Sequence, residues 1–211
     1  MEKPVLILGA GSVGKNAKQI FESNDILVYG FLDDDKALID TEVDGINVLG
    51  ATDAESMLSV IGPECEAFVA VDENEIRKTI IADLIKKNKV MPINAIHPNV
   101  IMAESSSVGH GNFINAQVVL GANSVIGHHC ILHLKAAIDE GVSIGDFVQI
   151  GMGCNINSGV VIEDEVFIGA GVTIVAGVKI EKGARIGAGS VVVTHVKENA
   201  VLFGNPASEV K

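Results

Sequence analysis

The sequence predicts two joined architectures, an α/β half built on a small parallel sheet and a parallel β-helix solenoid. Three observations carry this. Residues 1–95 alternate short apolar runs with helically spaced segments. Beyond His97-Pro98 an aliphatic residue recurs every six positions without interruption. Only 4% of the 211 residues are aromatic while Gly numbers 23, so the core must be built from Val, Ile, Leu and Ala on a backbone with many tight corners.

In the first half, "VLILG" (5–9) is an apolar run ending in glycine, and "SVGKNAKQIFES" (12–23) has helical spacing. "ILVYGFL" (26–32) reads as a second strand closed by the acidic turn 33–35, and "INVLG" (46–50) as a third. "ATDAESMLSVI" (51–61) reads as a helix, "EAFVAV" (66–71) as a strand and "ENEIRKTIIADLIKKN" (73–88) as a helix, with "VMPINAI" (90–96) closing the half. Strands and helices of these lengths in alternation imply a parallel sheet covered by helices.

The second half, 96–211, places aliphatics at 102, 108, 114, 120 and onward to 192 in steps of six, with a small or β-branched residue two positions before each. Gly often follows, as at 109, 121, 127, 145, 151, 169 and 187. A six-residue period excludes helix and marks a β-helix. Each hexad supplies one strand and one corner, three hexads make a triangular coil, and coils stack at about 4.7–4.9 Å. Residues 18 apart therefore lie one above another.

The net charge of −12 excludes a nucleic-acid or anionic-membrane surface, which needs clustered Lys and Arg. Cys65, Cys130 and Cys154 form no framework spacing, which fits a reducing compartment. "MEKPVLILGAG" has no signal-peptide pattern, and no apolar run reaches the ~18 residues of a membrane span. The expected location is the cytoplasm.

Gly9-x-Gly11-x-x-Gly14 follows a strand and opens a helix, the context a nucleotide fingerprint requires, and Asp33 and Asp34 stand about 20 residues on, where a ribose would be met. A plain strand–helix turn would use the same glycines. "ILGAGSVGK" (7–15), "GFLDDD" (30–35), "ENEIRK" (73–78), "IHPNV" (96–100), "GAGSVVV" (187–193) and "GNPA" (204–207) together resemble one bacterial group. It is the sialic-acid O-acetyltransferase and UDP-4-amino-sugar N-acetyltransferase group of the hexapeptide acyltransferases.

The resemblance spans nearly the whole chain. It implies a Rossmann-like sugar-nucleotide domain, a left-handed β-helix, a homotrimer and acetyl-CoA bound between subunits. It implies no dehydrogenase, because no further domain is present for hydride transfer. By the same comparison, Gly9, Gly11, Ser12, Val13, Asp33 and Asp34 would meet the sugar nucleotide, Ser12-Val13 standing where relatives carry Gly-His. Ala170, Ala188, Asn205, Pro206 and Gln149 would meet acetyl-CoA.

Acetyl transfer needs a base for the acceptor's proton and a donor for the carbonyl oxygen. The resembling group uses a histidine followed by a carboxylate, and a second histidine nine residues later. The ungapped register puts Glu140 at the first position, Gly141 at the second and Gln149 at the third. His133, where relatives often have the Asn of "INT", is the candidate replacement base, with Glu140 orienting it or acting alone, and Gln149 donating to the carbonyl.

Sliding the motif back to "GHHC" (127–130) would make His128 the base, but a twelve-residue gap would then move the corner to another edge of the prism. His110 and His128, 18 apart, are expected to stack, His195 to belong to the cap and His97 to shape the junction. No metal site is expected, since Cys130 points inward and His128 and His129 lie on the corner. The leading expectation is an acetyltransferase acting on a nucleotide-linked amino sugar in surface glycan synthesis. Transfer of another acyl group, or to another acceptor, stays open. The altered corner also leaves open a catalytically impaired sugar-nucleotide-binding or scaffold homologue.

Overall fold

A computed structural model describes residues 3–210. The chain divides into two compact units, one ending at Pro98 and the other beginning at Asn99.

In the first unit, β1 (Val5–Leu8) lies between β2 (Val28–Leu32) and β5 (Glu66–Val69) in a parallel sheet of order β2-β1-β5. All four residues of β1 are buried, which is why "VLIL" carries no alternation. Helix α1 (Ser12–Ser23) turns Val13, Ala17, Ile20 and Phe21 inward, and α3 (Asn74–Asn88) turns in Arg77, Ile81 and Leu84.

Two expected elements differ. The strand expected over 46–50 is only β4 (Ile46–Asn47), paired antiparallel with β3 (Glu42–Val43). Asp44 and Gly45 both adopt positive φ, the turn that closes two-residue hairpins. The helix expected over 51–61 shrinks to α2 (Glu55–Leu58). The Asp34 carboxylate takes both the Thr52 N–H and its hydroxyl at 2.8 Å, anchoring that stretch to the end of β2 as a loop.

In the second unit, sixteen two-residue strands run from Ile101–Met102 to Val191–Val192 in three parallel sheets, one per side of the prism. The register is 18 residues throughout, as in Leu120↔Ile138↔Ile156↔Ile174. Inward aliphatics from Ile114 to Val192 are buried, each contributing roughly 1.5–3 kcal/mol by burial. Met102 is the exposed member; it lies in the first coil, with no earlier coil to stack on.

From Val108 to Ile186, the backbone three residues after each inward aliphatic adopts positive φ, at Gln117, Asn123, His129, Lys135, Gly141, Phe147 and Gly153 among others. One left-handed residue per corner is what bends a strand into the next side. The glycines directly after the aliphatics have another cause. A Cβ at Gly151 would meet the Ala170 N at 2.5 Å, and one at Gly169 the Ala188 N at 2.6 Å.

The corner after Ile126 is also a hydrogen-bond ladder. His110 N–H donates to His128 Nδ1 (3.0 Å), His128 N–H to Asp146 Oδ1 (2.7 Å) and Asp146 N–H to Asp164 Oδ1 (2.8 Å). The His110 and His128 rings stack at 5.6 Å. Thus the "GHHC" histidine at 128 is committed to corner structure.

Candidate active site

The fingerprint glycines divide by function. A Cβ at Gly9 would meet the Ala70 carbonyl oxygen at 2.5 Å and one at Gly14 would collide with the Gly9 carbonyl, so packing alone requires both. Around Gly11 nothing lies within 4 Å. It caps α1, whose free N–H groups and dipole suit an anion.

A cavity of about 270 Å³ opens there, lined by Gly9, Gly11, Ser12, Asp33, Asp34 and Thr52, and by Ala70, Val71, Asp72, Ile76 and Ile80. It sits at the carboxyl ends of β1, β2 and β5, where open α/β sheets bind ligands. Five of the six expected substrate residues line it. Val13 does not: it is 3% exposed and packs in the core, because the second helical position of α1 faces the sheet. That corrects the expected contact.

Asp33 Oδ2 accepts the Ala10 N–H at 2.7 Å and its Oδ1 the Asp35 N–H at 2.9 Å, so this carboxylate also shapes the glycine loop. A second cavity of about 480 Å³ adjoins the first, sharing Asp34, Thr52, Ile76 and Ile80.

Sequence reasoning missed the wall made by Thr52, Ile76 and Ile80, and its anchor, Arg77. That side chain is 1% exposed and donates from Nη1 to the Val71 and Asp72 carbonyls (2.6 and 2.9 Å) and from Nη2 to Asn74 Oδ1. It fixes the loop that forms one side of the cavity. The available signal was the exposed apolar Ile76 with Ile80 one helical turn on, a stripe of α3 separate from the inward Arg77, Ile81 and Leu84.

In the solenoid, His133 follows the strand Ile131–Leu132, donates its N–H to the Ile150 carbonyl (2.9 Å) and packs its ring edge-on against Phe113 at 6.2 Å. Gln149 lies in the same sheet, between Ile131 below and Phe167 above. Ala170 and Ala188 are exposed on the corner that contains His133, one and two coils beyond Met152. Gly189 N–H already occupies one lone pair of the Ala170 carbonyl, at 2.8 Å.

Asn205-Pro206 forms the turn between strands Val201–Gly204 and Ala207–Glu209, and the Gly204 N–H donates to Ser190 Oγ (3.1 Å). The Phe203 ring covers Gly187, where a Cβ would collide with it, a contact the sequence did not reveal.

Glu140 stands elsewhere, on the exposed corner after Ala137–Ile138. Its N–H donates to Asp139 Oδ1 at 2.8 Å, and its carbonyl accepts the Gly159 N–H at 3.0 Å. A groove of about 280 Å³ runs beside it, lined by Val119, Gly121, Ala137, Asp139, Asn155 and Asn157. The structure therefore groups His133, Gln149, Ala170 and Ala188 along one edge of the prism and sets Glu140 at the far end of the neighbouring side. Within one chain His133 and Glu140 do not form a pair.

Cys130 is buried with Sγ directed at the Gly145 carbonyl (3.1 Å), and among the described residues no group of three or more His, Cys, Asp or Glu could hold a metal ion. No helix among the described residues is long and apolar enough to cross a membrane.

One chain thus carries a glycine-loop cleft on a parallel sheet and a hexad-repeat solenoid. Family models agree: the PglD N-terminal domain matches residues 4–84, the hexapeptide repeat of succinyl-transferase 114–158, and the bacterial transferase hexapeptide (six repeats) 159–194. By these matches the chain carries a PglD-type N-terminal domain followed by bacterial-transferase hexapeptide repeats.

Among solved structures, it is similar to a GDP-perosamine N-acetyltransferase from Caulobacter crescentus in complex with CoA and GDP-perosamine, at 26% identity and a TM-score of 0.90 over 99% of this chain and 97% of that one. The acetyltransferase domain of PglB from Neisseria gonorrhoeae, in complex with acetyl coenzyme A, is similar at 27% identity and 0.91, over 100% of both chains. WeeI from Acinetobacter baumannii is similar at 25% and 0.85, over 98% and 99%. No curated protein matches by sequence.

Proposed function

We propose that this protein transfers the acetyl group of acetyl-CoA to the amino group, or a hydroxyl, of a nucleotide-linked amino sugar in bacterial surface glycan synthesis, working in the cytoplasm as a homotrimer. One observation carries the reading. The match to acetyltransferases seen with CoA, acetyl-CoA and GDP-perosamine runs through both units at full length, so the nucleotide cleft and the solenoid are retained together.

Gly9, Gly11, Ser12, Asp33 and Asp34 hold the nucleotide, with phosphate at the start of α1 and ribose hydroxyls at the two carboxylates. Ala170, Ala188, Asn205 and Pro206 line the path of the pantetheine arm, and the Gln149 amide donates to the thioester oxygen as charge develops there. His133 takes the proton of the attacking nitrogen or oxygen, and Glu140, at the other end of the same side of the prism, is the alternative base acting alone.

The second reading, a catalytically impaired sugar-nucleotide-binding homologue, is favoured by Glu140-Gly141 at the corner where the resembling group carries its histidine and carboxylate. Incubation with acetyl-CoA and a panel of GDP-, UDP- and dTDP-linked amino sugars, followed by mass spectrometry, separates them. A product 42 mass units heavier (roughly, for one acetyl group) supports transfer. Nucleotide-sugar binding with no product, and no rise in melting temperature with acetyl-CoA, supports the impaired homologue.

A further inference from the structure

The two cavities of the α/β unit have different linings. The smaller, of about 270 Å³, carries Asp33, Asp34 and Asp72 and no Lys or Arg among its described lining residues. A phosphate therefore has one place in it, the start of α1 beside Gly11 and Ser12, where free N–H groups point outward. With phosphate there and ribose at Asp33 and Asp34, the base of a nucleotide extends past Thr52 into the adjoining cavity of about 480 Å³.

That second cavity combines apolar walls with two unpartnered charges. Ile39, Leu58, Ile76 and Ile80 supply apolar lining, and Ile76 is 46% exposed. A flat ring laid on Ile76 and Ile80 would take that surface out of water. Most polar groups around it are already engaged: Asp34 with Thr52 (2.8 Å), Thr79 Oγ1 with the Glu75 carbonyl (2.9 Å) and Asp83 with Lys87 (3.2 Å). Among the described residues, the side chains of Lys36 and Asp53 make no hydrogen bond or ion pair, with each other or with any other group. One ammonium and one carboxylate are left to read the edge of a ring.

Base chemistry decides which ring fits. A carboxylate takes two parallel hydrogen bonds only from adjacent donors. Among the common bases guanine alone offers them, at N1–H and the 2-amino group, with O6 beside them as an acceptor for an ammonium. Uracil and thymine present one N–H between two carbonyls, so a carboxylate meets a lone pair on either side. Adenine and cytosine set one amino group beside a ring-nitrogen acceptor, which a carboxylate repels.

We propose that the second cavity is a guanine subsite: Asp53 accepts from N1–H and the 2-amino group, Lys36 donates to O6, and Ile76 and Ile80 bear the ring face. The acceptor substrate is then a guanosine-diphosphate-linked amino sugar. The inference rests on the acetyl-transfer reading for the fate of the sugar and deepens it, while the base assignment concerns binding alone.

Calorimetric titration of the wild-type protein with GDP, UDP, dTDP, ADP and CDP tests the assignment without acetyl transfer. GDP is expected to bind at least tenfold more tightly than each of the others (roughly, for one bidentate contact). Inosine diphosphate, which keeps O6 and N1–H but lacks the 2-amino group, should fall between. Any of the other nucleotides binding as tightly as GDP overturns the proposal, as does failure of every nucleotide to bind.

A variant then tests the carboxylate. Asp53→Asn exchanges one acceptor for an amide donor, so GDP affinity should fall roughly tenfold or more. Affinity for xanthosine diphosphate, whose position 2 carries an oxygen, should rise instead, a gain that misfolding cannot produce. Lys36→Met should weaken GDP and inosine diphosphate and leave ADP unchanged. Asp53→Asn with unaltered affinity for both GDP and xanthosine diphosphate overturns the proposal. Guanine selectivity with no acetylated product from any amino sugar overturns the acetyl-transfer reading and leaves the subsite standing. Acetylation of UDP- and GDP-linked amino sugars with no selectivity for the base does the reverse.

Discussion

The two units solve the same problem, burial of aliphatic side chains in a protein poor in aromatics, under different constraints. In the solenoid a residue is read by comparison with its column of copies 18 residues apart: Gly151 and Gly169 share one cause, and His110, His128, Asp146 and Asp164 another. In the α/β unit each residue is unique. Arg77, buried among carbonyls of the loop it anchors, has no column to be compared with. Periodicity makes a departure from the column visible.

The largest expected effect tests the column rule. Gly169→Val would drive a branched side chain into the Ala188 backbone at a point where even a Cβ stands 2.6 Å from the nitrogen. Backbone cannot yield there without parting two coils, so a loss of roughly 3 kcal/mol or more is expected by urea denaturation. Gly177→Val is the contrast at the left-handed corner position, where no atom lies within 4 Å of the added Cβ but φ is +72°. Its cost is conformational, about 1–2 kcal/mol. Equal costs would break the separation of the two glycine rows.

A smaller effect tests the uniqueness of positions in the α/β unit. Gly14→Ala places its methyl group against the Gly9 carbonyl and should cost about 1–3 kcal/mol. Gly11→Thr keeps a residue able to cap α1 and meets nothing within 4 Å at Cβ, so stability should hold within about 0.5 kcal/mol. Nucleotide-sugar binding, measured by calorimetry, should nevertheless fall at least tenfold, because the branched side chain fills the approach to the helix N-terminus. If Gly11→Thr binds as wild type does, the ligand does not approach the fingerprint.

Much of this architecture was legible. The hexad period fixed the solenoid, its register and the stacking of His110 on His128, since a repeat of six with inward aliphatics has one economical geometry. The parallel sheet followed from buried runs such as "VLIL". Legibility failed where tertiary contacts overrode local pattern. The Asp34–Thr52 bonds held 51–53 out of a helix, and the Asp44-Gly45 turn made a hairpin of an expected strand. For the candidate site, the resemblance put His133 and Glu140 forward, but only the prism shows that one chain sets them at the two ends of the strand Ala137–Ile138.

The smallest effect compares one buried thiol from each unit. Burial raises the pKa of both Cys65 and Cys154; at Cys65 the neighbouring Glu66 and Glu64 add to it, and at Cys154 hydrogen bonding to backbone opposes it. A thiol that stays protonated when folded binds more protons than the unfolded chain once pH passes the ordinary thiol range of about 8.5. Stability is therefore intact below that range and declines as pH rises through it toward the folded pKa. Cys154 Sγ donates to the Gly169 carbonyl at 3.0 Å between stacked coils, whereas Cys65 lies at the end of the loop that bridges Ile61. Exposing Cys154 requires parting coils, while exposing Cys65 requires opening one loop. Labelling with a thiol reagent at pH 8 should therefore modify Cys65 first, with Cys154 reacting only as the solenoid unfolds globally. Simultaneous labelling would mean that the two units open as one, and that the contrast between repeated and unique packing does not extend to their local stability.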